Sequence, residues 1–313
     1  MARSDFPWSK SMENRSGETL KGGIAAAAAF TIWGLIPVYW KLLESVNAYE
    51  LVLHRIGWSF VFLLIILRFR GKLKTYFQAF RQPRLSLIHA FGGIMLAINW
   101  LAFIYAVTNG HILQASLAYF IVPLVNLGFG ILVLKEGLTK LRGLAVLLAC
   151  IGVLNEVFGV DEIPWLALTI AVSFGIYGLL KKKSTLGTVT GLALENTVIF
   201  PIAFVGLVWL FTQGQGALFH APWSLQALIL LTGIVTSIPL LLFSYGAVRV
   251  QLNTLGILQF IAPFMKFALA VWLYNEPFSS GKLITFAFIW LGILFYLIDA
   301  YRSSRVKDVP PDL

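Results

Sequence analysis

Ten apolar stretches of roughly 20 residues follow one another along this chain, separated by short polar links. Each is long enough to cross a hydrocarbon core of about 30 Å as a helix. They run over residues 20–41, 49–68, 84–108, 112–134, 140–157, 163–181, 189–211, 223–248, 252–274 and 281–301. Backbone polar groups inside a bilayer must be bonded within their own segment or within a closed barrel, so apolar runs of this length fix the fold class. The sequence predicts an all-α integral membrane protein with ten transmembrane helices. Only 12% of its residues are charged against 58% hydrophobic, too few charges to clothe a soluble globule of 313 residues.

Lys and Arg are held on the cytoplasmic side during insertion, so their distribution orients the spans. Of the 24 cations, all but Lys41, Lys282, Arg55 and Lys266 fall on one side. That side receives Arg68, Arg70, Lys72, Lys74, Arg81 and Arg84 after the second span, Lys181 to Lys183 after the sixth, and both terminal tails. Both termini are therefore predicted cytoplasmic, with residues 1–19 a polar, disordered tail and 302–313 a second tail. The first span is too long for a cleavable leader and is followed by further spans, so it is expected to remain as an anchor. A net charge of +10 reflects this topology and not nucleic-acid binding, because the basic residues are spread over short loops. The lone cysteine, Cys150, can form no intrachain disulfide.

Phe120, Ile121, Pro123 and Glu136 recur at an offset of 140 as Phe260, Ile261, Pro263 and Glu276, and Trp33-Gly34 recurs near that offset as Phe174-Gly175. The chain thus reads as two copies of one unit, 20–157 and 158–301. Five spans per copy is an odd number, so the second copy enters the membrane from the opposite side, as an inverted repeat. Pro123 and Pro263 lie midway along their spans, where each removes a helical hydrogen bond. Matched interruptions of this kind mark a binding centre and moving helices, so both are expected to kink and act in gating.

Charges inside the spans are few and informative. Arg55 and Lys266 lie roughly 9 and 12 Å below the outer ends of their helices, counted at about 1.5 Å per residue. Two readings of each stand: it lines an aqueous cavity, or it pairs with a carboxylate such as Glu50 and snorkels to the surface. A cavity lined by both would suit an anionic or carboxylate-bearing substrate. Trp33, Tyr39, His54, Asn99, Trp100, Tyr119, Asn126, Tyr177 and Gln259 are further candidate cavity residues, and buried amides among them can equally join helix to helix. Lys266 occupies the repeat position of Asn126. Glu195, about two turns into the seventh span, is a candidate proton-binding carboxylate or a partner of Lys181 to Lys183. Glu136 and Glu276 stand at helix ends, where capping is expected. No metal site is read from the four histidines, and no phosphate loop, hydrolase motif or cofactor signature occurs.

The run Ala29-Phe30-Thr31-Ile32-Trp33-Gly34 with Pro37, Tyr39 and Lys41, then Glu50, His54-Arg55, Asn99-Trp100 and Ala118-Tyr119-Phe120-Ile121 with Pro123 and Asn126, resembles RarD-type proteins. These form part of the EamA branch of the drug/metabolite transporter superfamily. Ser173-Phe174-Gly175, Tyr177-Gly178, Leu255-Gly256 and Gln259-Phe260-Ile261 with Pro263 continue the likeness. The resemblance implies two inverted EamA repeats, a bacterial inner-membrane location and a central cavity with the fifth and tenth helices peripheral. Two features depart from it: Lys135-Glu136 and Asn275-Glu276 stand where Gly-Glu is usual in the family, and Lys266 stands where the family more often has a neutral residue.

The function expected is secondary transport of small metabolites or drug-like compounds, read as export by alternating access. A facilitative uniporter and a non-transporting membrane sensor or assembly subunit are the alternatives. No enzyme activity is expected, because no catalytic constellation is visible.

Overall fold

The computed structural model describes residues 7–109, 111–157, 163–273 and 280–306, and all regular structure among them is helical. The elements are α1 (Pro7–Lys41), α2 (Ala48–Phe69), α3 (Leu73–Ala79), α4 (Pro83–Thr108), α5 (Ile112–Leu132), α6 (Lys140–Val157) and α7 (Trp165–Lys183). They continue with α8 (Thr188–Thr212), α9 (Ala217–His220), α10 (Trp223–Ala247), α11 (Leu252–Gln259), α12 (Ile261–Trp272) and α13 (Ser280–Val306).

Among the described residues, eight segments are long and apolar enough to cross a membrane: parts of α1 and α5, the whole of α2, α4, α7, α8 and α10, and Leu252–Leu269 across α11 and α12. The other two expected spans fall on α6 and α13. Lys140, Arg142 and Glu156 dilute the apolar character of α6, and the described apolar part of α13 is Leu283–Asp299. These two helices pack on each other. Asn155 donates to Thr285 at 2.9 Å, and Arg142 Nε meets Asp299 Oδ2 at 2.7 Å.

Three local features differ from the sequence expectation. Helix α1 begins at Pro7 and so runs back through the segment read as a disordered tail, where Glu18 binds both Lys21 and Arg249. The short helices α3 and α9 occupy two of the polar links, for which no helix is read from the sequence. Of the two proline-bearing spans, α5 runs unbroken through Pro123, whereas the second copy is interrupted at Phe260. Pro263 offers no N–H to the carbonyl of Gln259. The chain steps past it with a tighter turn, in which the Phe260 N–H bonds to Ile257 at 3.2 Å.

Helices standing at the same place in the two halves have matching neighbours. Helix α1 packs on α10 and on α11–α12, while its counterpart α7 packs on α4 and α5. Helix α2 also packs on α10, and α8 on α4; the pairs α2–α8, α5–α11 and α6–α13 map onto themselves when the halves are exchanged. Two glycines at matching places in the two halves set close approaches of this kind. A Cβ on Gly34 would fall 2.4 Å from Met265 Cβ on α12, and one on Gly175 would fall 2.4 Å from Val125 Cγ1 on α5. Small residues let membrane helices approach this closely.

Gly34→Ala should therefore force α1 away from α12 and destabilise the protein by about 1–3 kcal/mol, the usual range for overpacking. Gly23→Ala on the same helix, where a Cβ meets nothing within 4 Å, serves as the control and should leave stability unchanged or raised. Thermal unfolding of the two variants in detergent reads the difference.

Candidate functional site

Helices α1, α2, α4, α5, α7, α10, α11 and α12 surround a cavity of about 870 Å³, within the size range of small-molecule sites. Its mouth lies where α1 ends and α2 begins, at Lys41 and Ala48, with Val107 of α4 beside them. The walls are largely aromatic: Trp40, Trp100, Phe103 and Tyr119 stand above Trp33, Phe30 and Phe174. Below, Phe30, Trp33, Phe174, Tyr177 and Phe243 form a continuous layer with ring centroids 5.2–6.0 Å apart, contributed by α1, α7 and α10. Such pairs add about 0.5–1.5 kcal/mol each beyond their buried area, so the layer is a firm floor.

Arg55 and Lys266 both line this cavity. The Arg55 guanidinium carbon lies 4.9 Å from the ring centres of both Trp40 and Trp100, and Nε donates to Thr236 Oγ1 at 3.1 Å. Lys266 Nζ rests over the face of Tyr119, 3.0 Å from the ring centre. Among the described residues neither cation has a carboxylate within 4.0 Å, and no Asp or Glu lines the cavity. Glu50 is engaged elsewhere: its Oε1 accepts from the Ala217 N–H at 2.7 Å and from His54 Nε2 at 3.3 Å.

The remaining sequence candidates divide. Trp33, Asn99, Trp100, Tyr119, Gln259 and Pro263 line the cavity. His54 does not, because adjacent residues on a helix point about 100° apart and Arg55 takes the cavity-facing side. Instead His54 lines a smaller hollow of about 340 Å³ between α2, α8 and α9, where it also accepts from Trp58 Nε1 at 3.2 Å. Tyr39 stands off the wall and donates to the carbonyl of Leu228. Asn126 is buried behind the wall and donates to Gln259 Oε1 at 2.6 Å. Pro123 is likewise behind the wall, its carbonyl against Gly256. Tyr177 lies in the floor, turned away from the cavity. Glu276 falls outside the described residues. Sequence reasoning missed Trp40 and Thr236, which hold Arg55; neither stands out by composition among so many aromatic and hydroxyl residues.

Glu195 lies beneath the floor in a cluster drawn from three helices. Its Oε1 accepts from Lys181 Nζ of α7 at 2.5 Å and from His89 Nδ1 of α4 at 2.7 Å, and its Oε2 accepts from the Tyr177 hydroxyl at 3.1 Å. A carboxylate only accepts, so His89 donates from Nδ1, and its Nε2 lies within hydrogen-bond reach of Ser184 Oγ at 3.0 Å. Glycines make room for it: a Cβ on Gly93 would fall 2.4 Å from the Glu195 carbonyl, and one on Gly191 would fall 2.6 Å from His89 Cε1. The three charged or ionisable partners and Tyr177 are all buried. Among the described residues no group of three or more His, Cys, Asp and Glu is placed to hold a metal ion.

Stripping one member from a buried ion pair leaves the other charge uncompensated, at a cost of about 3–5 kcal/mol. Lys181→Met and Glu195→Gln should each lower the unfolding temperature strongly, and the double variant should lose less than the sum of the two. A double-mutant cycle of thermal unfolding measures that coupling.

The EamA-like transporter family matches residues 20–155. "Uncharacterized transporter YojE" of Bacillus subtilis is 43% identical over 296 residues, covering 93% of this chain and 98% of that protein. "Protein RarD" of Escherichia coli is 39% identical over 291 residues, covering 92% of this chain and 97% of that protein. A solved crystal structure with 18% sequence identity superposes with a TM-score of 0.66 over 92% of this chain and 98% of its own, and so shares the fold. With identity of this extent over nearly the whole length, the chain belongs to the EamA-like transporter family, as a RarD-type membrane protein of the drug/metabolite transporters.

Proposed function

We propose that this protein is a secondary transporter that carries a small, largely apolar anion out of a bacterial cell across the inner membrane by alternating access. The observation that carries this reading is the cavity itself: about 870 Å³, closed beneath by the aromatic layer, and holding Arg55 and Lys266 with no acidic lining residue among those described. A cleft lined by one sign of charge between low-dielectric walls focuses its field on ions of the other sign.

Ten spans in two inverted five-helix units, 20–157 and 158–301, with both ends cytoplasmic, is the topology we assign. The exchange symmetry of the helix neighbours supports it, as does the family match ending at residue 155, close to the repeat boundary. In that orientation the mouth at Lys41 faces outward. The interrupted helix before Pro263 and the proline-bearing α5 supply the moving centre, since discontinuous helices commonly flank such sites. Export follows from the sign of the cargo. A cytoplasm-negative potential drives an anion outward with about 2.3 kcal/mol per charge per 100 mV.

Proteoliposomes loaded with benzenesulfonate, a permanent anion, test this against the neutral benzenesulfonamide. Efflux of the anion should rise when the lumen is made negative, and Arg55→Gln should slow it at least tenfold. Flux equal to protein-free vesicles would overturn transport; flux indifferent to potential would overturn the anionic cargo.

We further assign Glu195 as a proton-binding group, reached from the inner end through Ser184 and His89. Glu195→Gln should then keep the response to potential and lose any acceleration by an imposed pH gradient. An unchanged gradient response removes that assignment.

A further inference from the structure

The two cavity cations stand on different walls, and each has its own support. Arg55 projects from α2 and is held by Trp40 of α1, Trp100 of α4 and Thr236 of α10. Its Nε is used by Thr236, which leaves the terminal amino edge for a planar acceptor; a guanidinium presents that edge as a fork matched to a carboxylate. Lys266 projects from α12 and rests on Tyr119 of α5, a compact point charge with three donors and no fork.

We infer that the cargo carries two anionic groups on one apolar frame, the first seated on Arg55 and the second on Lys266. This deepens the transport reading and rests on it. Charge balance is the reason. A single anion on Arg55 leaves the Lys266 ammonium uncompensated inside the membrane, where a lone charge is costly; a single anion on Lys266 leaves the guanidinium so. Opposite charges in contact between low-dielectric walls attract far more strongly than they do in water, enough to rank a dianion above a monoanion of the same shape. Because the supports are separate, the second charge has to stand apart from the first, with aromatic surface between them to receive apolar carbon.

Binding to the purified protein tests this without any need for flux. The probes are benzylsuccinate with two carboxylates, its monoamide with one, and the diamide with none, compared by isothermal titration calorimetry. Each lost charge should weaken binding at least tenfold. Lys266→Gln should bring benzylsuccinate and its monoamide to within about threefold of each other, with Lys266→Met repeating the result should the first variant fold poorly. Phenyl phosphate, with both charges on one group, should bind more weakly than benzylsuccinate. Equal affinity for the dianion and the monoamide overturns the inference, as does an unchanged ratio in Lys266→Gln, absence of binding by all three succinate probes, or tighter binding of phenyl phosphate. A ladder of affinities with no solute flux would retain the two-anion site and remove transport; flux of benzenesulfonate with no ladder would do the reverse.

Discussion

The aromatic layer formed by Phe30, Trp33, Phe174, Tyr177 and Phe243 is the feature on which the rest depends. It draws on α1 from one half and on α7 and α10 from the other, so it joins the two halves at the centre of the bundle. Above it the helices diverge into a cavity that water can enter; below it they converge on polar bonds. Without that layer Arg55 and Lys266 would share one continuous channel with Glu195 and Lys181, and the separation of charge that defines the site would vanish. Its glycine neighbours matter for the same reason. Gly34 follows Trp33 and Gly175 follows Phe174, and each lets its helix approach α12 or α5 closely enough to seat the preceding ring.

Below the floor, closure is polar and spread over several helices. Glu136 accepts from the Leu252 and Asn253 N–H groups at 2.7 and 2.8 Å, which satisfies two donors at the start of α11. Lys182 donates to the carbonyl of Val250, and Arg249 binds Glu18 at 2.8 Å. These bonds tie α1, α5, α7, α10 and α11 together at the end opposite the mouth. Polar latches of this kind exchange readily with water when helices part, whereas an apolar floor must separate as a unit. The end opposite the mouth thus combines a cooperative seal with breakable ties, a build compatible with two arrangements separated by a few kcal/mol.

Much of the fold was legible because membrane crossing is nearly a one-dimensional constraint. The positions of α2, α4, α7, α8 and α10 follow from apolar length and polar links alone. Arg55 and Lys266, singled out as charges inside apolar spans, both line one cavity. Rotation of each helix about its axis was not legible. These helices are apolar on nearly every side, so no amphipathic stripe tells which residues face inward. That is why His54 was grouped with Arg55 although the two point to different hollows, and why Tyr177 and Asn126 were placed on the wall when they lie behind or beneath it. The His89–Glu195 bond joins residues 106 apart in sequence, a distance over which no local pattern speaks. The break at Phe260, three residues before Pro263, depends on which carbonyl loses its donor and on what packs alongside, as the unbroken course through Pro123 shows.

Asymmetry between repeat positions constrains the proposed cycle. Asn126 is fully buried and bonded to Gln259, while its counterpart Lys266 lies in the open cavity. If turnover exchanges the environments of the two halves, position 266 moves into a setting like the one position 126 now occupies, sealed from water and among neutral partners. An amide tolerates either setting, since it carries no charge to desolvate. An ammonium tolerates burial only with a counter-charge, because an isolated buried ion is costly by several kcal/mol. Closing the cavity over Lys266 is therefore favourable with an anion in place and unfavourable without one. At this repeat position, Asn126 in one half and Lys266 in the other, the proposed cycle links movement of the helices to occupancy of the site.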